Sequence, residues 1–521
     1  MADQAVTCSL LKGETDMAQV RDQWTTRAGF ILAAVGSAIG LGNIWRYPYV
    51  AYENGGGAFL IPYFFALLTA GIPILLLEYV LGHRSRGSSP ISYRRLSQKW
   101  EWLGWWQALL AFVISTYYMI ILAWALSYTW FSFGTQWGED TESFFFGQYL
   151  GSNQAEGFWD IGGLQWSVVI PVVLLWAFVY FVMRRQAHRG IERMARIMMP
   201  ILIGMMVVFT IRGITLEGAT AGLNALLTPD FSALTDPNVW VAAYGQVFFS
   251  LSVGFATMIT YASYLKKDED LANSGLIAAF ANSGFEFMAA IGIFGALGFL
   301  ATQSGTEVEH VVGQTIGLAF VIFPRIISEL PWLNSLFGVL FFGSLVFAGL
   351  TSVVSLVEPS VSAIRDKLGV ARTTAVNWIC GLAALVSLLY ATNGGLIYLD
   401  VVDHYLNSYG LLIGAILMAV ATAWTTRKIR DLQAHINQVS DIHIGNWWVL
   451  CVSVITPLVL IVMTGLNIVD EWKVPYGGYE ISGLLVIGWG SLIITVIAAV
   501  IFQRLAWKTD DALTSHEKEG A

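Results

Sequence analysis

The sequence predicts an all-α membrane protein with 12 transmembrane helices, of which the first and sixth are broken. Three observations support this fold class. Of the 521 residues, 56% are hydrophobic and only 12% are charged, a composition typical of a polytopic membrane protein. Apolar runs of roughly 20 residues, the length that crosses a bilayer as a helix, recur along the chain. Two of these runs carry glycine and polar residues in their middle.

The apolar runs define the order of the predicted elements. Spans 1 to 12 lie near residues 27–51, 57–82, 104–133, 165–183, 194–214, 238–264, 272–301, 334–364, 375–392, 396–424, 447–468 and 481–507. Breaks at matching positions of two halves indicate an inverted repeat with its binding site near the membrane midplane. The predicted units are therefore a 5+5 repeat with two added helices: 1–23 (N-terminal segment), 24–215, 216–424, 425–507 and 508–521 (tail).

The basic residues predict that both termini are cytoplasmic. Of the 28 Lys and Arg residues, 24 lie in the terminal segments or in the loops that follow the even-numbered spans. The loop at 134–164 has none. This is a strong positive-inside pattern. Residues 1–23 lack the apolar core of a secretory signal, no external loop holds paired cysteines, and the net charge of −8 argues against a nucleic-acid partner.

Span 1 contains the sequence Gly-Ser-Ala-Ile-Gly-Leu-Gly-Asn-Ile-Trp-Arg at residues 36–46. Each glycine disfavours a helix by about 1 kcal/mol relative to alanine. Asn43 and Arg46 add an amide and a charge at membrane depth. Open backbone in a membrane is tolerated only where it lines a cavity or is buried in protein. The segment therefore predicts a binding site.

Span 6 carries the second polar interruption, Gly-Gln-Val-Phe-Phe-Ser-Leu-Ser-Val-Gly-Phe at 245–255. Span 8 carries Thr351 and Ser352, whose hydroxyl oxygens suit hard cations. Bonding of these hydroxyls to the preceding helical turn is the alternative interpretation. The two interruptions together favour a site shared by spans 1 and 6.

Two further spans contribute candidate residues. In span 7, Asn282 and Glu286 are four residues apart and share a helix face. A mid-membrane acid costs about 2.5–3.5 kcal/mol or more and is functional by default, although a structural, hydrogen-bonded acid is the alternative. In span 3, the hydroxyl of Tyr117 or Tyr118 is a candidate carboxylate ligand. Ordinary core packing explains these tyrosines equally well.

Four motifs carry a family resemblance. They are GLGNIWRYP at residues 40–48, ENGGGAF at 53–59, GQVFFSLSVG at 245–254 and AGLTS at 348–352. The chain resembles the neurotransmitter:sodium symporter family, and in particular its prokaryotic amino-acid transporters, from about Arg21 to at least Asp403.

The resemblance implies two sodium sites and a substrate site. One sodium site comprises the Ala38 carbonyl, Asn43, Ser250 and Asn282, with the substrate carboxylate. The other comprises the carbonyls of Gly36, Ile39 and Ala348, with Thr351 and Ser352. The implied substrate residues are Ala38, Gly40, Gly42, Ile114, Tyr118, Phe249, Ser250, Ser252, Phe255, Ser352 and Leu356.

The resemblance also implies an outer and an inner gate, and a carboxylate in place of a bound chloride ion. Arg46 and Asp403 resemble an outer gate, and the inner gate comprises Arg21, Trp24, Tyr264 and Asp366. Chloride-dependent relatives have a small hydroxyl residue where this chain has Glu286. A carboxylate there is expected to replace chloride and to exchange a proton during the return of the empty carrier.

The expected function is sodium-coupled import of a neutral amino acid by alternating access in a bacterial inner membrane, without chloride and without enzymatic activity. A GABA-like compound or another zwitterionic osmolyte is the alternative substrate. Three rival functions are a proton-driven carrier, an ion channel and a receptor of the same fold. Ile114 and Leu356 favour a small or medium aliphatic substrate. The sequence leaves open the substrate identity, the ion stoichiometry and the oligomeric state.

Overall fold

The computed structural model describes residues 22–312 and 315–508, and these residues form helices joined by loops. Within these described residues, ten helices are long and apolar enough to cross a membrane: Gly57–Ser85, Gln98–Phe131, Trp166–Met183, Ile191–Ile214, Leu271–Ser304, Asn334–Leu368, Arg372–Tyr390, Gly395–Thr425, Asn446–Gly478 and Ile481–Arg504. They correspond to spans 2–5 and 7–12. The predicted terminal segments 1–23 and 508–521 lie almost wholly outside the described residues.

Spans 1 and 6 are each divided between two shorter helices. Span 1 comprises Arg27–Ala38 and Leu41–Glu53, whose axes are bent by 55°. Span 6 comprises Pro237–Ser250 and Thr257–Ala262. The all-α class and the two broken spans are therefore confirmed. Shorter helices connect the spans at Ser89–Leu96, Ala219–Leu227, Phe323–Glu329 and Ile429–Val439.

Local hydrogen bonding explains the break in span 1. Ile39 and Gly40 are extended, so the first helix ends at Ala38 and the second begins at Leu41. The Asn43 side chain accepts a hydrogen bond from the Gly40 N–H at 2.8 Å. A helix start leaves N–H groups without partners inside the helix, and side chains commonly satisfy them. The break is thus stabilised by a residue of the same motif.

The break in span 6 is longer and has a different cause. Ser252, Gly254 and Ala256 all have positive φ angles, of 52°, 87° and 60°. Glycine adopts this conformation without steric cost, whereas the other two residues do so only when their surroundings hold them. Glu78 of span 2 accepts a hydrogen bond from the Gly254 N–H at 2.6 Å. A buried acid from a neighbouring span therefore supports the unwound backbone.

The burial pattern separates an inner group of spans from a lipid-facing group. Spans 2, 3, 7 and 8 are largely buried, whereas less than half of each apolar stretch is buried in spans 4, 5, 9, 11 and 12. Large apolar side chains on the outer group face outward; Leu385 and Ile494, for example, are each 67% exposed. Such a surface suits lipid rather than water. At least half of the residues in each helix of the two broken spans are buried within the protein.

Candidate substrate and sodium sites

The two breaks meet at a small cavity between spans 1, 3, 6, 8 and 10. It is lined by Ser37, Ala38, Gly40, Gly42, Asn43, Ile114, Tyr117, Tyr118, Phe249, Ser252, Phe255, Ser352, Leu356, Asp403 and Asn407. Every residue implied as a substrate contact lines this cavity except Ser250, which lies beside it in a buried polar cluster. The structure thus brings the implied residues together, while their binding roles stay predictions.

One wall of the cavity is suited to a carboxylate. The second helix of span 1 begins there, and its Leu41 N–H donates to the Tyr118 hydroxyl at 2.9 Å. The start of a helix carries partial positive charge and free N–H groups, which favour anions. Gly40 keeps this wall open, because an added Cβ would lie 2.9 Å from the Tyr118 hydroxyl oxygen.

Buried amides and a hydroxyl form a polar cluster behind this wall. The Asn43 side-chain nitrogen lies 2.8 Å from Asn282 Oδ1 and 3.4 Å from Ser250 Oγ. Ser250 also accepts a short hydrogen bond from Asn282. The three side chains come from spans 1, 6 and 7 and are at most 1% exposed. Their oxygens match the ligand chemistry that hard cations prefer, so the residues fit the first implied sodium site.

The second implied sodium site lies between spans 1 and 8. Ser352 Oγ lies 3.3 Å from the Ile39 carbonyl and 3.1 Å from the Ala348 carbonyl. Thr351 Oγ1 lies 2.8 Å from the same Ala348 oxygen. Gly36 packs against Thr351, since an added Cβ would lie 3.3 Å from its Cβ. Both hydroxyls donate to the preceding turn of their own helix, which is the alternative interpretation given above for Thr351 and Ser352. Ser352 also contacts the Ile39 carbonyl at the break of span 1.

Glu286 joins the first cluster to spans 2 and 6. Its side chain is fully buried. It accepts hydrogen bonds from Tyr63 at 2.5 Å, from Gln246 at 2.8 Å and from Asn43 at 3.2 Å. All three donors are neutral groups. A buried carboxyl with neutral donors is well placed to respond to a cation or proton nearby, because the low dielectric strengthens electrostatic interactions.

The proposed outer-gate residues have other partners in this structure. The Arg46 guanidinium lies 4.7 Å from the centre of the Phe249 ring. Asp403 accepts a hydrogen bond from Asn407 at 2.7 Å. Asp403 lines the cavity, and Arg46 covers an aromatic residue of its wall. The pairing of Arg46 with Asp403 therefore stays a prediction.

The three described inner-gate residues, Trp24, Tyr264 and Asp366, lie toward the opposite end of span 1 from Arg46. Trp24 donates to the Tyr261 carbonyl at 2.8 Å, and Tyr264 donates to Glu358 at 2.7 Å. Asp366 accepts from the Ser88 N–H at 2.8 Å. Arg21 lies outside the described residues, so the structure gives no contact for this gate residue.

Sequence reasoning missed the ion pairs that surround this end. Arg372 bonds Glu358 at 2.6 Å and Asp22 at 3.2 Å, and Asp22 also pairs with Arg365 at 3.0 Å. The same reasoning missed Glu78, which supports span 6. A buried acid within an apolar run is by itself a functional signal, and this signal was present in the sequence for both Glu78 and Glu358.

A helical membrane protein with two broken spans around a central cavity has the architecture of a secondary transporter. The sequence profile described as "Sodium:neurotransmitter symporter family" matches residues 21–145 and 135–510. The chain belongs to this family and is therefore a multi-pass, sodium-dependent membrane transporter rather than an enzyme.

Individual relatives agree with the family assignment. An uncharacterized sodium-dependent transporter of Methanocaldococcus jannaschii is 40% identical, and the alignment covers 93% of this chain and 98% of the relative. The sodium- and chloride-dependent GABA transporter 2 of Bos taurus is 31% identical over 91% of this chain and 86% of the relative. The sodium-dependent dopamine transporter of Caenorhabditis elegans is 28% identical over 88% and 82%.

Proposed function

We propose that the protein imports a neutral amino acid together with sodium, by alternating access and without chloride. The observation that carries the proposal is the buried cluster of Asn43, Ser250, Asn282 and Glu286, which joins both broken spans beside the cavity. A sodium ion held there would also be coordinated by the carboxylate of the bound substrate. Each ligand would then raise the affinity of the other by the same factor.

The α-carboxylate is part of the proposal because of Gly40. Family members that carry decarboxylated amines have an Asp at this position, where it stands in for the substrate carboxylate. Here Gly40 adds no side chain and no charge, and the Tyr118 hydroxyl, which accepts from the Leu41 N–H, carries an O–H that can donate to a carboxylate. This favours a substrate that brings its own negative charge. Ile114, Phe255 and Leu356 supply an apolar wall that suits an aliphatic side chain.

Chloride independence rests on Glu286. The bovine GABA transporter is sodium- and chloride-dependent by name. In this chain, Tyr63, Gln246 and Asn43 donate to a carboxylate instead of surrounding an anion from solution. Two sodium ions and a zwitterion bring net positive charge, which an ionised Glu286 offsets. When the empty carrier returns without sodium, a proton would bind Glu286 and neutralise its charge. This proton would be carried out of the cell in each cycle.

A GABA-like or osmolyte substrate is the second candidate. It is favoured by the GABA relative and by a taurine transporter of Bos taurus, which is 29% identical over 84% of this chain and 76% of the relative. A longer zwitterion would place its amine farther from the Leu41 end of the cavity, toward Asp403 and Asn407. The proposed location is a bacterial inner membrane with both termini cytoplasmic.

The test is a thermal-shift screen of twenty amino acids, GABA and taurine on the purified protein, in sodium and in potassium. A ligand that binds only the folded state raises the melting temperature through mass action. We expect a neutral α-amino acid to stabilise the protein in sodium alone. Stabilisation by GABA or taurine but by no α-amino acid would support the second candidate, and equal shifts in potassium would contradict sodium coupling.

A further inference from the structure

A groove between spans 4 and 9 lies on the lipid-facing surface, away from the transport site. It has a volume of about 510 Å³, within the range of roughly 300–1,000 Å³ typical of ligand pockets. Trp176 and Cys380 form its buried floor, whereas Val173 and Leu385 form exposed edges. The groove is thus apolar, elongated along two helices and open toward the membrane.

One end of the groove is polar. The Tyr180 hydroxyl donates to Asn377 Oδ1 at 3.0 Å, and both residues line the groove. One helical turn farther along, the Arg184 guanidinium lies 5.9 Å from the Tyr180 ring. Trp378, which is 51% exposed, lies beside Asn377. A hydrophobic groove that ends in amide, phenol, indole and guanidinium groups has the polarity profile of a membrane interface.

The arginines at this end are anchored close to span 9. Arg372, the first residue of span 9, donates from Nε to the carbonyls of Met183 at 3.0 Å and Arg185 at 2.8 Å. This contact holds the end of span 4 against the start of span 9. The Arg185 backbone is thereby held beside the start of span 9, and the Arg184 guanidinium lies near Tyr180 at this end of the groove.

Among the described residues, no acid forms an ion pair with the exposed arginines of this end. Arg184, Arg185, Arg189 and Arg193 are all exposed. The acids near them are already engaged, since Glu192 pairs with Arg196 at 2.5 Å and Glu358 pairs with Arg372 at 2.6 Å. Basic residues beside a crevice between transmembrane helices are a recognised arrangement for anionic lipid head groups.

We propose that this groove binds an anionic glycerophospholipid. One acyl chain lies between spans 4 and 9, the ester region lies beside Tyr180 and Asn377, and the phosphate lies against Arg184 and Arg185. Guanidinium groups bind phosphate oxygens in a two-pronged geometry. The apolar floor selects an acyl chain over a soluble phosphate compound, which would leave most of the groove unfilled.

The test is native mass spectrometry of the full-length purified protein, titrated with phosphatidylglycerol or with phosphatidylcholine. We expect one tight phosphatidylglycerol site. The double variant R184Q/R185Q should weaken it by about 25-fold, because each basic residue near a lipid surface contributes about fivefold. The double variant K99Q/R427Q, which removes two exposed basic residues elsewhere, should leave it unchanged.

A second variant tests the acyl-chain groove. Gly381 lines the groove, and no atom lies within 4 Å of a Cβ added there. Gly381→Leu should fill this space and abolish tight lipid binding. Gly465→Leu, an equally open and exposed glycine on span 11, is the control. Equal affinity for both lipids in the native protein, native affinity in R184Q/R185Q, or native affinity in Gly381→Leu would each overturn the proposal.

Discussion

At the residue scale, single side chains serve both the fold and the site. Asn43 shows this most clearly, because its Oδ1 accepts from the Gly40 N–H while its Nδ2 faces Asn282, Ser250 and Glu286. The same amide therefore stabilises the break in span 1 and positions the implied sodium ligands. Changes at such a residue should affect binding of substrate and of ion together.

We accordingly expect Asn43→Ala to weaken sodium and amino-acid binding in parallel. A buried group left without its hydrogen bond costs about 1–3 kcal/mol, which corresponds to roughly 5-fold to 150-fold in affinity. The measurement is a substrate-binding isotherm at several sodium concentrations. Asn238→Ala, at an exposed helix start, is the control. A variant with native substrate affinity but weakened sodium affinity would show that the two sites are separate.

Gly40 provides a second prediction at this scale. Gly40→Asp should abolish amino-acid binding, since it adds bulk next to the Tyr118 hydroxyl and a negative charge where the substrate carboxylate is proposed to lie. Gly40→Ala adds the bulk alone, so the difference between the two variants reports the charge. Binding assays with an amino acid and with its decarboxylated amine give this difference. Native amino-acid affinity in Gly40→Asp would contradict the proposed carboxylate position.

At the element scale, sequence located both breaks but described them incompletely. The polar segments 36–46 and 245–255 contain or overlap the observed breaks, because glycine and buried polar groups disfavour a continuous apolar helix. Gly245, however, lies within a regular helix, and the actual opening includes Ser252 and Ala256 with positive φ. Intrinsic preference could not predict these two residues, since neither is a glycine, and the contacts around them come from distant parts of the chain: Ser252 donates to the Ser37 carbonyl, and Glu78 accepts from the intervening Gly254 N–H.

The contact of Glu78 with span 6 gives a prediction for this element. Glu78→Ala should leave the buried Gly254 N–H without its partner and destabilise the protein by about 1–3 kcal/mol. Glu78→Gln keeps an acceptor oxygen and should retain more of the stability. Thermal unfolding of the purified variants measures both effects. If alanine and glutamine lower the melting temperature equally, the hydrogen bond to Gly254 is not what supports span 6.

The outer gate is an element-scale prediction that links spans 1 and 10. If Arg46 pairs with Asp403 when the carrier closes, Asp403→Ala leaves a charged guanidinium without its partner in that state only. Uptake should therefore slow more than equilibrium substrate binding weakens. Proteoliposome uptake and binding, measured on the same preparation, separate the two effects. Asp400→Ala, one turn away and bonded to Tyr476 and Tyr479, is the control; equal slowing in both variants would argue against a specific pair.

At the scale of the whole molecule, composition and the length of the apolar runs were sufficient for the all-α membrane class and for the ten spans that form long apolar helices in the described residues. A run of roughly 20 apolar residues identifies a membrane span wherever the helix is continuous. The ion pair between Asp22 and Arg372 was not predictable, because the two residues are 350 positions apart and meet only in the folded protein. Glu358 and Arg372 are only 14 positions apart, but they lie on two different helices, and the sequence does not show how these helices pack. The same limit applies to the lipid-facing groove, whose two walls come from spans 4 and 9. Motif resemblance supplied most of the site residues, whereas the polar interruptions in two apolar runs supplied the location of the site.

The last prediction concerns the charge balance of the complete transport cycle. Replacing chloride with gluconate should leave native uptake unchanged, because Glu286 supplies the negative charge itself. Glu286→Ser removes that charge and should make uptake respond to chloride. Acidifying the vesicle interior should speed native uptake, since internal protons neutralise Glu286 during the return of the empty carrier, and this response should disappear in Glu286→Ser. A native protein that needs chloride, or whose uptake ignores internal pH at every substrate concentration, would exclude Glu286 from this role.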